Sequence, residues 1–214
     1  MLGNLLASMV RRGAGTKRFL NVGGGSKAAP LPAHFSGWEH VLLDIQPRTD
    51  VDLAMDARNL ADLPPEAFDA VYCSHNLEHY YAHDVPRVLA GFAHVLKRGG
   101  FVEIRVPDIE AVLRAMTEGG LDIADPLYVS PAGPVSVHDV LYGFGAEMAR
   151  GNEYYAHKTG FTDRSLRQAL GAAGFAHAHA LPPMGGYELR VAAFTEVPVP
   201  ALQELLGLAS RQQR

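Results

Sequence analysis

Short apolar runs, each followed by a turn or a helical segment, most constrain what this chain can fold into. Five such runs fall in its first half, at Arg18–Val22, His40–Ile45, Val51–Met55, Phe68–Cys73 and Gly100–Pro107. Runs this continuous in Val, Ile and Leu are typical of strands that are covered on both faces. Their alternation with helical patterns predicts βαβ units and hence a parallel sheet.

Two segments have the apolar spacing of helices that pack against such a sheet. The first is Asp84–Lys97, and Gly99 follows it as glycine does beyond a helix C-terminus. The second is Arg164–Ala173, for which Thr162 or Asp163 can serve as the N-cap.

Two last strands, Phe175–Leu181 and Glu188–Glu196, are separated by a short connection rich in Pro and Gly, which is typical of an antiparallel hairpin. We therefore predict one α/β domain over residues 1–214. Its seven-stranded, mostly parallel sheet has helices on both faces and ends in an antiparallel hairpin. A dehydrogenase nucleotide-binding domain differs, because its strands are normally all parallel.

The least regular part of the chain is the segment 109–160. Two Pro/Gly clusters, at 125–134 and 142–145, are expected to break any long helix there. Loops at the carboxyl edge of a parallel sheet carry function, so this segment is predicted to be an insertion that covers the substrate.

Both ends of the chain are predicted to form short amphipathic helices. Met1–Val10 is mildly apolar, lacks the basic start of a signal peptide, and is expected to cover the fold. The tail from Pro198 onward has a helical pattern. It can pack on its own domain or on a second subunit, which leaves a homodimer open.

Charge and composition exclude several classes of partner. The formal net charge is −4, so the chain offers no broad basic field for nucleic acid. No apolar run approaches the roughly 20 residues needed to cross a bilayer. The single cysteine, Cys73, rules out an intrachain disulfide, and we expect a cytoplasmic protein in which this thiol is packed in the core.

A glycine cluster follows the first apolar run directly. Gly23, Gly24 and Gly25 allow the backbone to approach a ligand closely, as in both dinucleotide and S-adenosylmethionine (SAM) sites. Asp44 ends the second run, 19 residues beyond Gly25, where an acid accepts hydrogen bonds from ribose hydroxyls. Asp56 follows the third run and can accept from an adenine amino group. Each acid alone could equally be a solvated turn residue, but their joint placement favours an adenosine site.

Five segments together resemble the successive SAM-binding motifs of class I SAM-dependent methyltransferases, and most closely those of the small bacterial type 11 group. They are LNVGGGS at 20–26, LLDIQP at 42–47, MDARNLADLP at 55–64, FDAVYCSHNLEHY at 68–80 and LKRGGFVEIRVPD at 96–108. HKTGF at 157–161 and LGAAGF at 170–175 also resemble this group. The resemblance implies a Rossmann-like fold and SAM as the cofactor.

The resemblance also implies a role for each matching residue. Gly23, Gly24 and Gly25 would face the methionine portion with Asn21 beside them, Asp44 and Ile45 would adjoin the ribose, Asp56 and Ala57 the adenine edge, and Ser74 and His75 the rim near the sulfonium. Two positions depart from the family pattern. Asn21 replaces the usual acid, and Lys27 replaces the third glycine.

Methyl transfer asks the protein mainly to align a nucleophile and to exclude water. Where an oxygen or nitrogen nucleophile also needs a base, His75 is the first candidate, and His138 and His157 could reach over from the covering segment. A structural hydrogen bond or a helix cap is the alternative role for each of them.

The predicted function is methyl transfer from SAM to a small-molecule or glycan-type acceptor. The alternatives are an NAD(P)-dependent oxidoreductase, against which the final antiparallel hairpin counts, and a SAM-binding protein without catalytic activity.

A histidine repeat raises the question of a metal site. His75, His79 and His83 recur every four residues and would share one helical face. The repeat lacks the glutamate placement of the HExxH signature, and the fourth strand is expected to end inside it. We therefore predict no metal.

Overall fold

The computed structural model describes residues 15–130 and 133–208, so the helix expected over Met1–Val10 lies outside the described residues. Nine strands are present in that part of the chain: β1 Arg18–Val22, β2 Glu39–Asp44, β3 Leu53–Ala54, β4 Phe68–Ser74, β5 Leu96–Pro107, β6 Pro126–Ser130, β7 Gly133–Ser136, β8 His177–Ala180 and β9 Glu188–Phe194. Seven of them form one sheet in the order β3-β2-β1-β4-β5-β9-β8, and β6 and β7 form a separate ribbon.

The sheet is parallel from β3 to β5, and β9 is antiparallel to both of its neighbours, β5 and β8. This confirms the predicted seven-stranded, mostly parallel sheet and its final hairpin. Because β9 inserts between β5 and β8, its first residue, Glu188, lies opposite Pro107 at the carboxyl edge of the parallel strands.

Six α-helices connect or cover these strands in the described residues: α1 Val85–Val95, α2 Ile109–Gly119, α3 Val137–Tyr142, α4 Gly145–Met148, α5 Asp163–Ala172 and α6 Pro200–Leu205. Short 3₁₀ turns occupy Ala33–Phe35, Ala57–Asp62, Leu77–His79 and Glu153–Tyr155. None of these helices is long and apolar enough to cross a membrane.

The strands bury both of their faces, as their continuous apolar composition predicts. Alternate residues point to opposite faces, so Leu20 belongs to one apolar cluster while Phe19 belongs to another. The first cluster lies under α1 and α5, and the second under the turn Ala33–Phe35 and α6. Helices on both faces are thereby confirmed.

The C-terminal tail packs on its own domain. Leu202, Leu206 and Leu208 are buried with Phe194 and Phe101 in the second cluster. Of the two alternatives that the sequence left open, the described tail follows the first, and a homodimer stays a prediction.

The boundary between α1 and β5 differs from the sequence prediction. The helix ends at Val95 rather than at Lys97, because Leu96 has extended backbone angles and pairs with Phe68 of β4. Sheet pairing therefore overrides the helical spacing of the last two residues. The α5 prediction is nearly exact, since Thr162 caps that helix in a capping box with Ser165.

The segment 109–160 is more regular than the sequence suggests. Asp108 caps α2 by accepting from the amides of Glu110 and Ala111, and the helix runs unbroken to a left-handed Gly120. The Pro/Gly clusters come after this residue, so they follow the helix instead of breaking it. Val112 of α2 and Val140 of α3 then share a small core of their own.

Leu89→Ala in α1 tests the main core. Leu89 is fully buried, so removing its side chain leaves a cavity, and we expect the free energy of unfolding to fall by about 2–5 kcal/mol. The matched control is Leu113→Ala in α2, whose side chain is 50% exposed and whose loss should cost less than about 1 kcal/mol. Urea unfolding followed by circular dichroism measures both, and equal losses would contradict the assignment of the core.

Candidate active site

The glycine turn after β1 is fixed by close packing. The amide of Gly23 donates to the carbonyl of Leu43, over 2.8 Å, and the residue has a φ of 70°. A Cβ at Gly23 would lie 2.0 Å from Nδ2 of Asn76, and one at Gly24 would lie 2.3 Å from Nδ2 of Asn21. Both positions therefore require glycine for space, and Gly23 also requires it for its backbone conformation.

Asp44 is held in place by two backbone amides at the end of β2. Its Oδ2 accepts from the amide of Gly25 over 3.2 Å, and its Oδ1 accepts from that of Gln46 over 2.9 Å. A carboxylate can accept about four hydrogen bonds. Each oxygen of Asp44 therefore keeps capacity for one more donor, which suits a ribose with its two neighbouring hydroxyls.

A cleft opens between the glycine turn, the ends of β2 and β3, and the loop after β4. We call it the glycine-turn cleft, and its lining residues are Gly23, Leu43, Asp44, Ile45, Met55, Asp56, Arg58, Asn76, His79, Tyr80, Tyr81, Asp84, Tyr154 and Lys158. The predicted site residues Gly23, Asp44, Ile45 and Asp56 line it together. The sequence analysis missed Asn76 and Tyr80, although both lie within the quoted motif at 68–80.

Asp56 is engaged by Arg58 in the same cleft. Its carboxylate accepts from the backbone amide of Arg58 over 2.9 Å and from the guanidinium over 2.7 Å. Burial alone would raise the pKa of Asp56, but these bonds outweigh it and hold the pKa below its usual range. A ligand amino group would therefore share this carboxylate with Arg58. Ala57 is fully buried beneath the turn that Asp56 caps, and it is not part of the cleft wall.

Asn21 supports the turn from behind. The alternation along β1 places its side chain on the face of Phe19, where Nδ2 lies 3.1 Å from Nε2 of His40. It also packs closely against Gly24 and does not line the cleft. Neither Gly24, Gly25 nor Ser74 belongs to the cleft wall. Direct contact of these residues with a ligand stays a prediction.

A second cavity, the edge cavity, lies at the carboxyl ends of β4 and β5 and the start of β9. It measures about 370 Å³, within the range of small-molecule sites. His75, Arg105 and Glu188 form its charged floor. Its remaining wall comes largely from the segment 109–160 and from the connection before β9, with the aromatic rings of Tyr128, Phe144 and Tyr187.

Glu188 organises the charged floor of the edge cavity. Its side chain is almost fully buried, accepts from Arg105 Nη2 over 2.6 Å, and lies 3.3 Å from His75 Nε2. The amides of Met184 and Gly185 donate to its other oxygen. Burial would raise the pKa of Glu188, but the bonds from His75, Arg105 and Met184 outweigh it and lower the pKa to about 2.

His75 is placed between two carboxylates. Its Nδ1 lies 3.5 Å from Oε1 of Glu78, and its Nε2 faces Glu188. Burial lowers the pKa of His75, but the contacts with Glu188 and Glu78 outweigh burial and raise it to about 9. A raised pKa favours the imidazolium form at neutral pH, which the two carboxylates stabilise. The role of His75 as a general base stays a prediction.

The two other histidines that were predicted as candidate bases, His157 and His138, differ in their positions. His157 lines the edge cavity, and burial lowers its pKa, so its imidazole is neutral at pH 7. His138 is exposed and lines neither cavity, and its ring is tilted against that of Tyr142 with 5.0 Å between the centroids. The structure therefore does not bring His138 to the site.

The repeat of His75, His79 and His83 does not form one face. Only Leu77–His79 is helical, as a 3₁₀ turn, and Tyr80 returns to extended backbone. The side chain of His83 is consequently 79% exposed and contacts Asp84 at 3.8 Å.

Comparison with known proteins finds one matching domain family and several solved structures with the same fold. A sequence model described as "Methyltransferase domain" matches residues 20–104. No curated protein sequence matches the chain. Among solved structures, a SAM-dependent methyltransferase from Archaeoglobus fulgidus has a TM-score of 0.52 at 15% identity, covering 84% of this chain and 86% of the other.

Two further solved structures share the fold, with similar TM-scores and similarly low sequence identity. The 1,6-didemethyltoxoflavin-N1-methyltransferase of Burkholderia thailandensis, with bound 1,6-didemethyltoxoflavin and S-adenosylhomocysteine, has a TM-score of 0.50 at 19% identity, covering 89% of this chain and 74% of its own. A candidate zinc-dependent alcohol dehydrogenase from Rhodobacter sphaeroides has a TM-score of 0.51 at 11% identity, covering 89% and 88%. At these identities the similarity shows the fold alone.

The fold is Rossmann-like and ends in an antiparallel hairpin. Residues 20–104, which include the strands that carry the glycine-turn cleft, match a methyltransferase domain. SAM is the cofactor that this domain match implies. The residues fit that cofactor, because a Cβ-free Gly23 lines the cleft and Asp44 retains acceptor capacity.

Gly23→Ala tests the packing of the turn. The new Cβ would overlap Asn76, so the turn must shift, and we expect SAM binding at least about 10-fold weaker. Gly37→Ala is the matched control, because Gly37 also has a positive φ of 79° but has no atom within 4 Å of an added Cβ. Calorimetric titration with SAM should show near-normal affinity for the control. Normal affinity in Gly23→Ala would refute the close-packing argument.

Glu188→Gln tests the buried carboxylate through pH. Its folded-state pKa of about 2 lies below the ordinary 4.5, so its ionisation stabilises the fold above pH 4.5 and this contribution disappears as the pH falls toward 2. We expect wild type to exceed the variant by on the order of 3 kcal/mol at pH 6–7 and the gap to close in acid.

Urea unfolding between pH 7 and pH 2.5 provides the measurement. Glu196→Gln is the control, since that carboxylate is 51% exposed and pairs with the exposed Arg98. Its effect should stay within about 1 kcal/mol at every pH. Parallel curves for wild type and Glu188→Gln would argue against the buried charge.

Proposed function

We propose that this protein transfers a methyl group from SAM to a small-molecule or glycan-type acceptor through an oxygen or nitrogen nucleophile. The acceptor would occupy the edge cavity, under the insertion 109–160. Supporting this, the single loop 75–79 after β4 has Asn76 and His79 in the glycine-turn cleft and His75 and Glu78 in the edge cavity.

That shared loop is the observation that carries the proposal. A methyl donor and an acceptor must meet with their reacting atoms about 3–3.5 Å apart. Because the same short loop lines both cavities, a donor in one and an acceptor in the other would be close to each other. Bound SAM supplies an activated methyl group, so the chain has to hold the acceptor in line with it and to keep water away.

The edge cavity has the chemistry of a polar, ring-bearing acceptor. Arg105 and His75 bring positive charge to the floor, Asp139 can accept a hydrogen bond, and aromatic rings complete the wall. The aromatic side chains Tyr128 and Tyr187 stack nearly parallel, with centroids 6.2 Å apart. A sugar or a small hydroxylated ring offers both hydroxyls for the charged floor and a flat face for these rings.

The acceptor in this proposal is a small molecule. The predictions of a cytoplasmic protein and of no nucleic-acid partner are kept.

Two alternative functions remain to be separated from methyl transfer. An NAD(P)-dependent oxidoreductase would bind nicotinamide cofactors in the same cleft. A SAM-binding protein without activity would bind SAM and transfer nothing.

Titration calorimetry with SAM, S-adenosylhomocysteine, NAD and NADP separates these cases. We expect micromolar binding of the first two and none of the nicotinamide cofactors. Asp44→Asn should weaken SAM binding about 10- to 100-fold, because it removes the charge that accepts from the ribose. Asp69→Asn is the control, since that carboxylate accepts from Arg18 and Lys97 away from the cleft. NAD binding would refute the proposal.

Transfer itself is measured with labelled SAM and a panel of sugars, phenols and amines. Labelled product with wild type, and its loss in Asp44→Asn at low SAM, is the expected result. SAM binding with no product from any acceptor class, and no slow hydrolysis to S-adenosylhomocysteine, would favour the non-catalytic alternative.

A further inference from the structure

Two distant parts of the chain bring three metal-binding side chains together. Glu78 and His79 follow β4, and His157 lies in the HKTGF motif before α5. One ligand atom from each of the three lies within 4.8 Å of the others. Neither the proposed methyl transfer nor the SAM site requires this arrangement.

The carboxylate of Glu78 is buried without a hydrogen-bond donor at normal distance among the described residues. The side chain is 1% exposed, and within the described part of the chain neither of its oxygens accepts a hydrogen bond. Its nearest charged neighbour is His75, at 3.5 Å. A buried carboxylate without hydrogen bonds is costly unless it is paired or coordinates a metal.

Both imidazoles are oriented by a backbone carbonyl. Nδ1 of His79 lies 3.0 Å from the carbonyl of Ala156, and Nδ1 of His157 lies 2.9 Å from that of Val140. A carbonyl only accepts, so Nδ1 is the donor in each ring, which leaves Nε2 as the nitrogen available to a metal ion. This is the outer hydrogen bond that orients metal-binding histidines in proteins.

The backbone fixes the two parts against each other. The carbonyl of Glu78 accepts from the amide of Lys158 over 2.8 Å and from that of Thr159 over 3.2 Å. The rings of His79 and His157 lie edge to face, with centroids 4.9 Å apart. Ligand atoms around a tetrahedral zinc ion are about 3.4 Å apart, so the three ligand atoms, now within 4.8 Å of one another, need only a small approach.

We propose that Glu78, His79 and His157 bind a zinc ion. Two histidines and one glutamate are the protein ligands of open zinc sites, in which the fourth position takes water or substrate. Because His79 lines the glycine-turn cleft while Glu78 and His157 line the edge cavity, the ion lies in the wall between the two cavities. An acceptor oxygen or nitrogen in the edge cavity can reach the fourth position.

The test measures metal, so it is independent of methyl transfer. Untagged protein, purified without chelators, is assayed for metal by plasma mass spectrometry. After removal of metal, it is titrated with Zn²⁺ against a chromophoric chelator. We expect one zinc per chain and a dissociation constant below about 1 µM. Glu78→Gln, His79→Gln and His157→Gln should each weaken binding at least 100-fold.

His83→Gln is the matched control, because His83 is a histidine of the same loop that lies outside the cluster. It should bind zinc as wild type does. Zinc should raise the midpoint of thermal unfolding of wild type and of this control, and leave that of the three variants unchanged.

Titration of the wild-type protein with Co²⁺ keeps the proposal testable where a variant fails to fold. A visible absorption band of the intensity expected for a tetrahedral ion, displaced by one equivalent of Zn²⁺, supports the site. No such band, a zinc affinity weaker than about 100 µM, or zinc binding unchanged in His157→Gln would overturn the proposal.

Discussion

The contact between Gly23 and Asn76 is the constraint on which the rest of the site depends. Both residues follow parallel strands, β1 and β4, that end side by side at one edge of the sheet. The space of a missing Cβ is filled by the Asn76 side chain. The glycine turn and the loop after β4 therefore have a fixed separation, and the two cavities on either side of that loop take their positions from it.

Buried charge is the second organising feature. Glu78 and Glu188 are both withdrawn from water, and His75 lies between them. Glu188 meets a guanidinium and backbone amides, which offset the cost of its burial. The charges that act on Glu78 within the described residues come from the imidazoles of His75, His79 and His157. The two buried carboxylates therefore differ in their partners, because Glu188 has a guanidinium and Glu78 has imidazoles.

The strand pattern and the cofactor motifs could be predicted because they depend on local sequence. Continuous apolar runs identify buried strands, and Thr162 with Ser165 identifies the start of α5. Asp44 and Gly23 follow from the spacing of the first two strands. The helix Ile109–Gly119 could not be predicted from composition, because the Pro/Gly clusters that make the segment irregular begin only after its end. Neither Asn21 nor His138 lines either cavity, because the orientation of a side chain depends on packing and not on residue type.

The sequence by itself thus determined the sheet, its coverage by helices and the turn residues that line the glycine-turn cleft, because periodicity and turn chemistry act over a few neighbouring residues. Only the tertiary structure decided which histidine meets which carboxylate. Glu78 and His157 are brought together by hydrogen bonds between the loop after β4 and the segment before α5. Glu188 reaches His75 because β9 runs antiparallel beside β5. These meetings depend on the packing of distant segments, and no spacing along the chain encodes them.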